Sequence, residues 1–169
     1  GFTDGFRRQL SDLFQKSART FSRSVFATAP VRTQPSRTYN PSEMAASAEG
    51  SHVPLEMARI KQRSPEQWDE IRKSLSAFGK NSGMFTDIDI RQLGKSDIDP
   101  FQLLVKVDGP ARNLMDVGYG VSQILPIIYQ IQTAARNQIF LLQQPEVHLH
   151  PRAQAELGSL FARSARAGR

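Results

Sequence analysis

The amino-acid sequence predicts an α/β fold, and three observations lead to this prediction. Several segments space their apolar residues three or four positions apart, as amphipathic helices do. Two other segments alternate apolar and polar residues, which is typical of half-buried strands. The run IFLL is continuously apolar, which indicates a strand that is covered on both faces within a parallel sheet. We therefore expect parallel strands that are flanked by helices.

The predicted helices follow from apolar spacing and from residues that favour helix ends. Ser64 and Pro65, with Gln67 three residues after the serine, indicate a capped helix start. Gly79 indicates the end of that helix, and Pro126 is expected to interrupt a later, strongly apolar helix near its beginning. The predicted helices, in chain order, cover residues 5–20, 54–62, 65–78, the apolar run after Gly120, and 152–165.

The predicted strands lie between these helices. A short strand in SVFATAP leads into a loop, and a mobile loop is expected at residues 42–52 because that segment is small and polar. The segments MFTDIDIRQL and FQLLVKVDG alternate as strands do, and QIFLL is the strongest strand of the chain. We expect QIFLL at the centre of the parallel sheet.

The composition of the 169 residues excludes some classes of protein. There is no cysteine, which excludes a disulfide framework and a thiolate metal site, and no apolar run is long enough for a membrane span. We therefore expect a soluble, cytoplasmic protein. The formal net charge is +6, and residues 1–41 carry seven Lys or Arg against two Asp. Such an excess can attract the phosphates of nucleic acid, but a solvated basic surface is the commoner explanation, and the charge alone does not indicate a DNA-binding protein.

The segment DVGYGVSQ, residues 116–123, has the features of an anion-binding helix start. Gly118 and Gly120 lie one residue apart, and Ser122 and Gln123 follow before the apolar part of the helix. Backbone N–H groups at a helix N-terminus attract anions, and glycines let a phosphate group approach closely. The alternative, from spacing alone, is an ordinary glycine-rich helix start that Ser122 caps.

The segment QQPEVHLHP, directly after the strongest strand, admits two functional interpretations. Glu146, His148 and His150 could supply the oxygen and nitrogen ligands of a metal site. Alternatively, the segment is the end of a nucleotidase strand, where an acidic residue holds Mg²⁺ and its neighbour positions water. In that second interpretation Gln143 and Gln144 occupy the two positions, although both side chains are neutral amides.

Taken together, VGYGVSQILP and IFLLQQPEVHLHPRAQAEL resemble the C-terminal lobe of an ABC-type ATPase head. The resemblance is to the bacterial predicted AAA-family ATPases that are related to the OLD, RecF and SMC proteins. It extends back through KSDIDPF and APVRTQPSRTY to about Val25, and so covers most of the chain. It implies a partial P-loop NTPase head with a basic N-terminal and intermediate region, residues 1–110, and a motif-bearing region, residues 111–169.

The resemblance implies roles for the residues of the glycine-rich segment. VGYGVSQ matches the signature loop of such heads, which caps the γ-phosphate of ATP that the partner head binds. The implied contacts are Gly118, Gly120, Ser122 and Gln123. The match to the common form L-S-G-G-Q is loose, because Gly118 stands where serine is usual and Val121 where glutamine is usual. The implied cofactors are ATP and Mg²⁺, and the implied partner is a second head.

IFLL matches the Walker B strand, and the residues that follow it match the catalytic positions. Gln143 stands at the Mg²⁺-binding acidic position, and Gln144 stands at the adjacent position, which orients the attacking water. Glu146 completes the motif. The resemblance places His148 and His150 in the turn after Walker B, near the dimer interface.

Two departures from the family pattern have consequences. In this family the residues after the strand are commonly E-Q-P-E, whereas residues 143–146 of this chain are Q-Q-P-E. Gln143 therefore keeps the shape of the usual glutamate but lacks its charge. This indicates a variant, engineered or natural, that binds ATP but hydrolyses it slowly. The chain also contains no Walker A loop, because GKS at residues 94–96 lacks the required glycine five positions earlier, where Asp89 stands. We therefore expect the N-terminal lobe to be absent from this chain, which alone should bind nucleotide poorly.

The predicted function is that of an ATPase head pair that closes around ATP and opens after hydrolysis. The resemblance implies that this switch acts on an effector, such as a nuclease in anti-phage defence, without a membrane partner. One alternative is a non-catalytic, nucleotide-gated scaffold or a nucleic-acid-binding protein. Another is a metal hydrolase built on Glu146, His148 and His150.

Overall fold

The computed structural model describes residues 13, 25–28, 34–41, 50–96, 98–136 and 138–168. They form an α/β arrangement in which a pair of parallel strands is flanked by helices. In chain order the strands are β1 (Val25–Thr28), β2 (Asp87–Gln92), β3 (Phe101–Lys106), β4 (Arg112–Asn113) and β5 (Ile139–Leu142). The helices are α1 (Val53–Arg63), α2 (Pro65–Ser82), α3 (Tyr119–Thr133) and α4 (Pro151–Arg166), and a short 3₁₀ turn, Leu114–Asp116, precedes α3.

The antiparallel sheet β2–β3–β4 forms one side of the hydrophobic core. The alternation that was predicted for β2 and β3 buries every second side chain, and the buried Ile88 of β2 lies opposite the buried Val105 of β3. Helix α2 packs against β2, and α1 and α3 complete the core with fully buried side chains such as Met57 and Ile124. The core therefore holds the start of α3 in a fixed position.

Helix α2 starts at Pro65, as predicted, but it differs from the prediction in its cap and at its C-terminal end. Ser64 lies at the N-cap position, but its side chain makes no capping hydrogen bond. The helix continues past Gly79 to Ser82 and ends at Gly83, whose φ of +75° is the left-handed conformation that favours glycine. Gly79 instead permits close packing, because a Cβ there would lie 2.4 Å from the ring of Phe85.

Helix α3 is the most apolar helix of the described chain, and it is continuous. The predicted interruption at Pro126 is wrong, because the helix runs through this residue to Thr133. Pro126 removes one backbone donor from the helix, but its ring packs against the backbone at Gly50, where a Cβ would lie only 2.7 Å away. The surrounding packing of α3 therefore outweighs the local preference of proline.

Helix α4 starts at Pro151, as predicted, and its first turn is bonded to α2. Arg152 donates from Nε to the carbonyl oxygen of Asn81 at 2.8 Å and from Nη2 to that of Lys80 at 3.2 Å. These two carbonyl groups belong to the last turn of α2, where intrahelical partners run out, and that of Lys80 also accepts a hydrogen bond from the N–H of Gly83 at 3.2 Å. The guanidinium group of Arg152 thus caps the C-terminus of α2 and joins the two helices.

Strand β5 pairs in parallel with β1, and Val25 lies opposite Ile139 while Thr28 lies opposite Leu142. The prediction of a parallel strand is confirmed, but the prediction of a central, fully buried strand is wrong for the described part of the chain. There β5 has a single neighbour, and Ile139 and Leu141 are 40% and 56% exposed. Its other face does pack against the core, because Phe140 and Leu142 contact buried residues.

Some predictions concern residues outside the described ranges. The amphipathic helix at 5–20 lies there except for Leu13, which is helical, and so does most of the loop at 42–52. The proposed division after residue 110 falls between β3 and β4, which pair with each other, and it stays a prediction. No helix in the described part of the chain combines the length and the apolar character that crossing a membrane requires.

Candidate functional site

The ends of β1 and β5 bring polar residues to one edge of the parallel pair. Because Thr28 is in register with Leu142, both strands end at the same level. Gln143 and Gln144 follow β5 directly, and both are exposed, as is Glu146. In open α/β sheets this carboxyl-terminal edge is where ligands commonly bind. The sequence-predicted catalytic residues therefore lie together on an accessible edge.

The turn that follows β5 has an unusual backbone. Gln144 has a φ of +46° and His148 a φ of +67°, which are left-handed conformations that few residues other than glycine adopt. Two hydrogen bonds hold the turn, from the Val147 N–H to the carbonyl of Gln144 and from the Leu149 N–H to the carbonyl of Glu146. The buried side chain of Leu149 anchors the turn to the core. Such backbone conformations concentrate at functional sites.

His150 has a structural partner at the start of α4. Its ring Nδ1 accepts a hydrogen bond from the N–H of Ala153 at 3.4 Å, and its carbonyl accepts from the same N–H at 2.9 Å. Among the described residues, no group of three or more His, Cys, Asp or Glu side chains is arranged to hold a metal ion. The metal site of Glu146, His148 and His150 therefore finds no support there.

The predicted signature residues divide into an accessible pair and a buried pair. Gly118, at the N-terminus of α3, is exposed and has open space where a side chain would begin, and Gly120 is half-buried. Ser122 and Gln123 are only 6% and 2% exposed. The hydroxyl of Ser122 donates to the carbonyl of Tyr119 at 2.8 Å, within the first turn. The accessible part of this helix start is thus its backbone around Gly118.

The start of α3 and the turn after β5 contact each other. The rings of Tyr119 and His148 meet edge to face, with their centroids 4.9 Å apart. A Cβ at Gly120 would lie 2.6 Å from the carbonyl oxygen of His148, so only glycine allows the two backbones to approach this closely. The two motifs that carry the resemblance therefore form one continuous surface. Tyr119 was missed by the sequence reasoning, because an aromatic residue between two glycines carries no signal of its own.

An ion pair lies beside this surface. Both terminal nitrogens of the Arg37 guanidinium group donate to Asp116. Nη1 donates to Oδ2 at 3.0 Å, and Nη2 donates to Oδ1 at 2.5 Å. The hydrogen bonds and the charge of Arg37 hold the pKa of the Asp116 carboxyl below its usual range. Asn113 fixes the segment by donating from Nδ2 to the Arg37 carbonyl at 2.7 Å. The negative charge of Asp116, two residues before Gly118, is thus paired with the positive charge of Arg37.

The groups at this surface fit a phosphate better than a divalent cation. Backbone N–H groups at the N-terminus of α3 are accessible beside Gly118 and can bind an anion. Mg²⁺ prefers carboxylate, phosphate and water oxygens, whereas Gln143 and Gln144 offer neutral amides. With Gln143 in place, the predicted Mg²⁺ position lacks the charge that would hold the ion, and Glu146 is the nearest carboxylate in the sequence.

Comparison with known proteins identifies the family. The model of the AAA ATPase domain matches residues 8–169, which is nearly the whole chain. No curated protein and no solved structure matches the chain significantly. The family match indicates a nucleotide-binding ATPase function. The chain belongs to the AAA ATPase domain family.

Proposed function

We propose that this chain is part of an ABC-type ATPase head that pairs with a second head around ATP. The observation that carries the proposal is the contact between the start of α3 and the turn after β5, where Tyr119 meets His148. In the proposed pair, the signature segment at the start of α3 faces the nucleotide that the other head binds, and the Walker B segment faces the nucleotide of its own head. Because these two segments of one chain act at different nucleotides of the pair, their contact would connect the two nucleotide sites, which supports this assignment.

The residues of the chain have distinct tasks in this proposal. The backbone N–H groups beside Gly118 and Gly120 bind phosphate oxygens, because the helix N-terminus carries partial positive charge. Arg37 keeps Asp116 from repelling the same phosphate. Gln144, on the exposed edge after β5, orients water. ATP, when bound with Mg²⁺, supplies the γ-phosphate whose presence holds the two heads together.

Gln143 makes the chain a hydrolysis-deficient form in this proposal. An amide has nearly the shape of a carboxylate, so the turn and the nucleotide surface keep their geometry. It carries no negative charge, however, and so holds Mg²⁺ weakly. We infer that the closed, nucleotide-bound pair persists longer than it would with glutamate at this position.

The closed pair is proposed to switch an effector. Closure and opening are two states whose balance depends on the γ-phosphate, and a partner that binds only one state is thereby controlled. The proposed effector is a nuclease, and the proposed context is anti-phage defence in the cytoplasm. Both proposals depend on the resemblance alone.

The test is ATP turnover by the complete gene product with Gln143 and with Gln143→Glu. A phosphate-binding loop is not among these 169 residues, so the complete product is the proper sample. The matched control is Gln67→Glu, which makes the same change of charge on an exposed position of α2. We expect turnover to rise at least tenfold in Gln143→Glu only. Equal turnover in all three proteins would contradict the assignment of Gln143.

A nucleotide-gated scaffold without catalysis is the second candidate. The neutral pair Gln143 and Gln144 at the strand end is the observation that favours it. In this case the original protein and the variant Gln143→Glu both bind ATP, and measurements of molecular size show that two heads associate when ATP is added. Neither protein hydrolyses ATP. Failure of either protein to bind ATP would contradict both candidates.

A further inference from the structure

A polar cleft of about 700 Å³ lies between α2 and the adjoining ends of β2 and β3. Of the ten residues that line it, nine are polar or charged. Lys73 and Lys80 project from α2 and Lys106 from the end of β3, and all three are exposed. We call this feature the basic cleft and define it by these three lysines. Its lining does not suit an apolar ligand.

One carboxylate in the cleft is already occupied. Arg72 donates to Asp87 through Nε at 2.9 Å and through Nη2 at 2.5 Å, and Ser76 adds a hydroxyl donor at 3.1 Å. The hydrogen bond from Arg72 is the largest cause that lowers the pKa of Asp87 to about 2. Lys106 lies opposite Asp87 in the sheet. The carboxylate oxygens of Asp87, however, already accept hydrogen bonds from Arg72 and Ser76.

The remaining charges in the cleft are mostly positive. Once Arg72 and Asp87 are taken as a neutral pair, the three lysines face Asp69 alone, which leaves an excess of two positive charges. Within the part of the chain that the structure describes, no carboxylate forms an ion pair with any of the three. The three lysines therefore carry positive charges that no ion pair within the described chain balances. This arrangement is suited to an external anion.

We propose that the basic cleft binds the phosphate backbone of nucleic acid. Lys73 and Lys80 are seven residues apart, which places them two turns, or about 10 Å, apart along α2. A duplex carries one negative charge per about 1.7 Å of its axis, so each lysine can meet a phosphate. Flexible lysines that reach phosphates from an open cleft bind the backbone regardless of base sequence.

This inference goes beyond the proposed ATPase function and does not depend on it. The basic cleft contains no residue of the start of α3 or of the turn after β5. It also differs from residues 1–41, whose positive charge was the basis for expecting nucleic acid from the sequence. A failure of nucleic-acid binding would therefore leave the ATPase proposal intact, and the reverse also holds.

The test measures the binding of a short fluorescent DNA duplex to the complete gene product by anisotropy, between about 50 and about 200 mM salt. The variant carries Lys73→Gln, Lys80→Gln and Lys106→Gln. The matched control removes three exposed positive charges outside the cleft, by the changes Arg63→Gln, Lys95→Gln and Arg166→Gln. Circular dichroism and melting temperatures check that both proteins fold, which exposed lysines should permit.

We expect the cleft variant to bind at least about tenfold more weakly than the original chain at low salt. The slope of log Kd against log salt should fall by about two to three, because each phosphate contact contributes about 0.9. The control should keep most of its affinity and slope. Equal binding of an RNA duplex would support recognition of the backbone.

Three results would overturn the inference. The first is an equal loss of affinity in the cleft variant and the control, which would indicate general attraction by the net charge. The second is no binding of either duplex by the original chain at low salt. The third is tighter binding of polyglutamate than of duplex through the same three lysines, which would identify an acidic protein as the partner.

Discussion

The ring of Tyr119 lies edge to face against the ring of His148, and their planes are inclined by 72°. These residues come from two segments that are separated in the sequence, one at the start of α3 and one after β5. An edge-to-face pair directs the positive edge of one ring toward the negative face of the other, which stabilises the contact beyond its buried area. The pair therefore fixes the distance between the two segments that the ATPase proposal requires to act together.

Removal of this ring should weaken the fold moderately. Tyr119→Ala is expected to lower the free energy of unfolding by about 1 kcal/mol, because an aromatic pair contributes about 0.5 to 1.5 kcal/mol. Tyr119→Phe keeps the ring and serves as the control. Urea denaturation measures both. If Tyr119→Phe lost as much stability as Tyr119→Ala, the hydroxyl and not the ring contact would be responsible.

A methyl group at Gly120 should be tolerated poorly. The new Cβ would lie 2.6 Å from the carbonyl oxygen of His148, so either α3 or the turn must shift. We expect Gly120→Ala to lower the free energy of unfolding by about 1 to 3 kcal/mol. Gly158→Ala is the matched control, because nothing lies within 4 Å of its new Cβ in α4. That change should be neutral or stabilise the protein by up to about 1 kcal/mol. Similar losses in both variants would contradict the contact.

The close packing inside α2 allows a second test of a glycine. A Cβ at Gly79 would meet the ring of Phe85 at 2.4 Å and its carbonyl oxygen at 2.5 Å. Gly79→Ala should therefore lower the melting temperature more than Gly83→Ala. The latter places alanine at a φ of +75°, which costs about 1 kcal/mol, and brings its Cβ to 3.2 Å from Nη1 of the flexible Arg152 side chain. If Gly83→Ala were the more harmful change, the end of the helix rather than its packing would dominate.

Acid should weaken the fold through Asp87. Its pKa is lowered from 3.8 to about 2, chiefly by the hydrogen bond from Arg72. Because the folded pKa is the lower one, the stabilisation is complete above the unfolded pKa and is lost as the pH falls through the folded pKa. Asp87→Asn should abolish this part of the pH dependence, between about pH 4 and about pH 2. Urea midpoints across this range measure it, and Asp69→Asn is the control on α2. A profile that Asp87→Asn leaves unchanged would contradict the assignment.

The sequence predicted an α/β fold and the positions of helices α1–α4 and of strands β1, β2, β3 and β5, because apolar periodicity is strong in these segments. The two-residue strand β4 was not predicted. It did not distinguish Gly79 from Gly83, since either glycine can end a helix and only the ring of Phe85 decides between them. It also overestimated the burial of β5, because an apolar run indicates covered faces without indicating what covers them.

The candidate site could be predicted only in part. Gly118, Gln143 and His148 were proposed from the resemblance. The structure adds that the start of α3 and the turn after β5 are in contact. The pair of Arg37 and Asp116 could not be found from spacing, because 79 positions separate its members and each has many potential partners. The lysines of the basic cleft were missed because they come from a helix and a strand.

Arg152 connects the candidate nucleotide surface with the basic cleft. It follows the turn after β5 by two residues, and its guanidinium group is bonded to the carbonyl oxygens of Lys80 and Asn81. Lys80 is also one of the three residues that define the basic cleft. The candidate nucleotide surface and the basic cleft are therefore joined through the hydrogen bonds of one side chain.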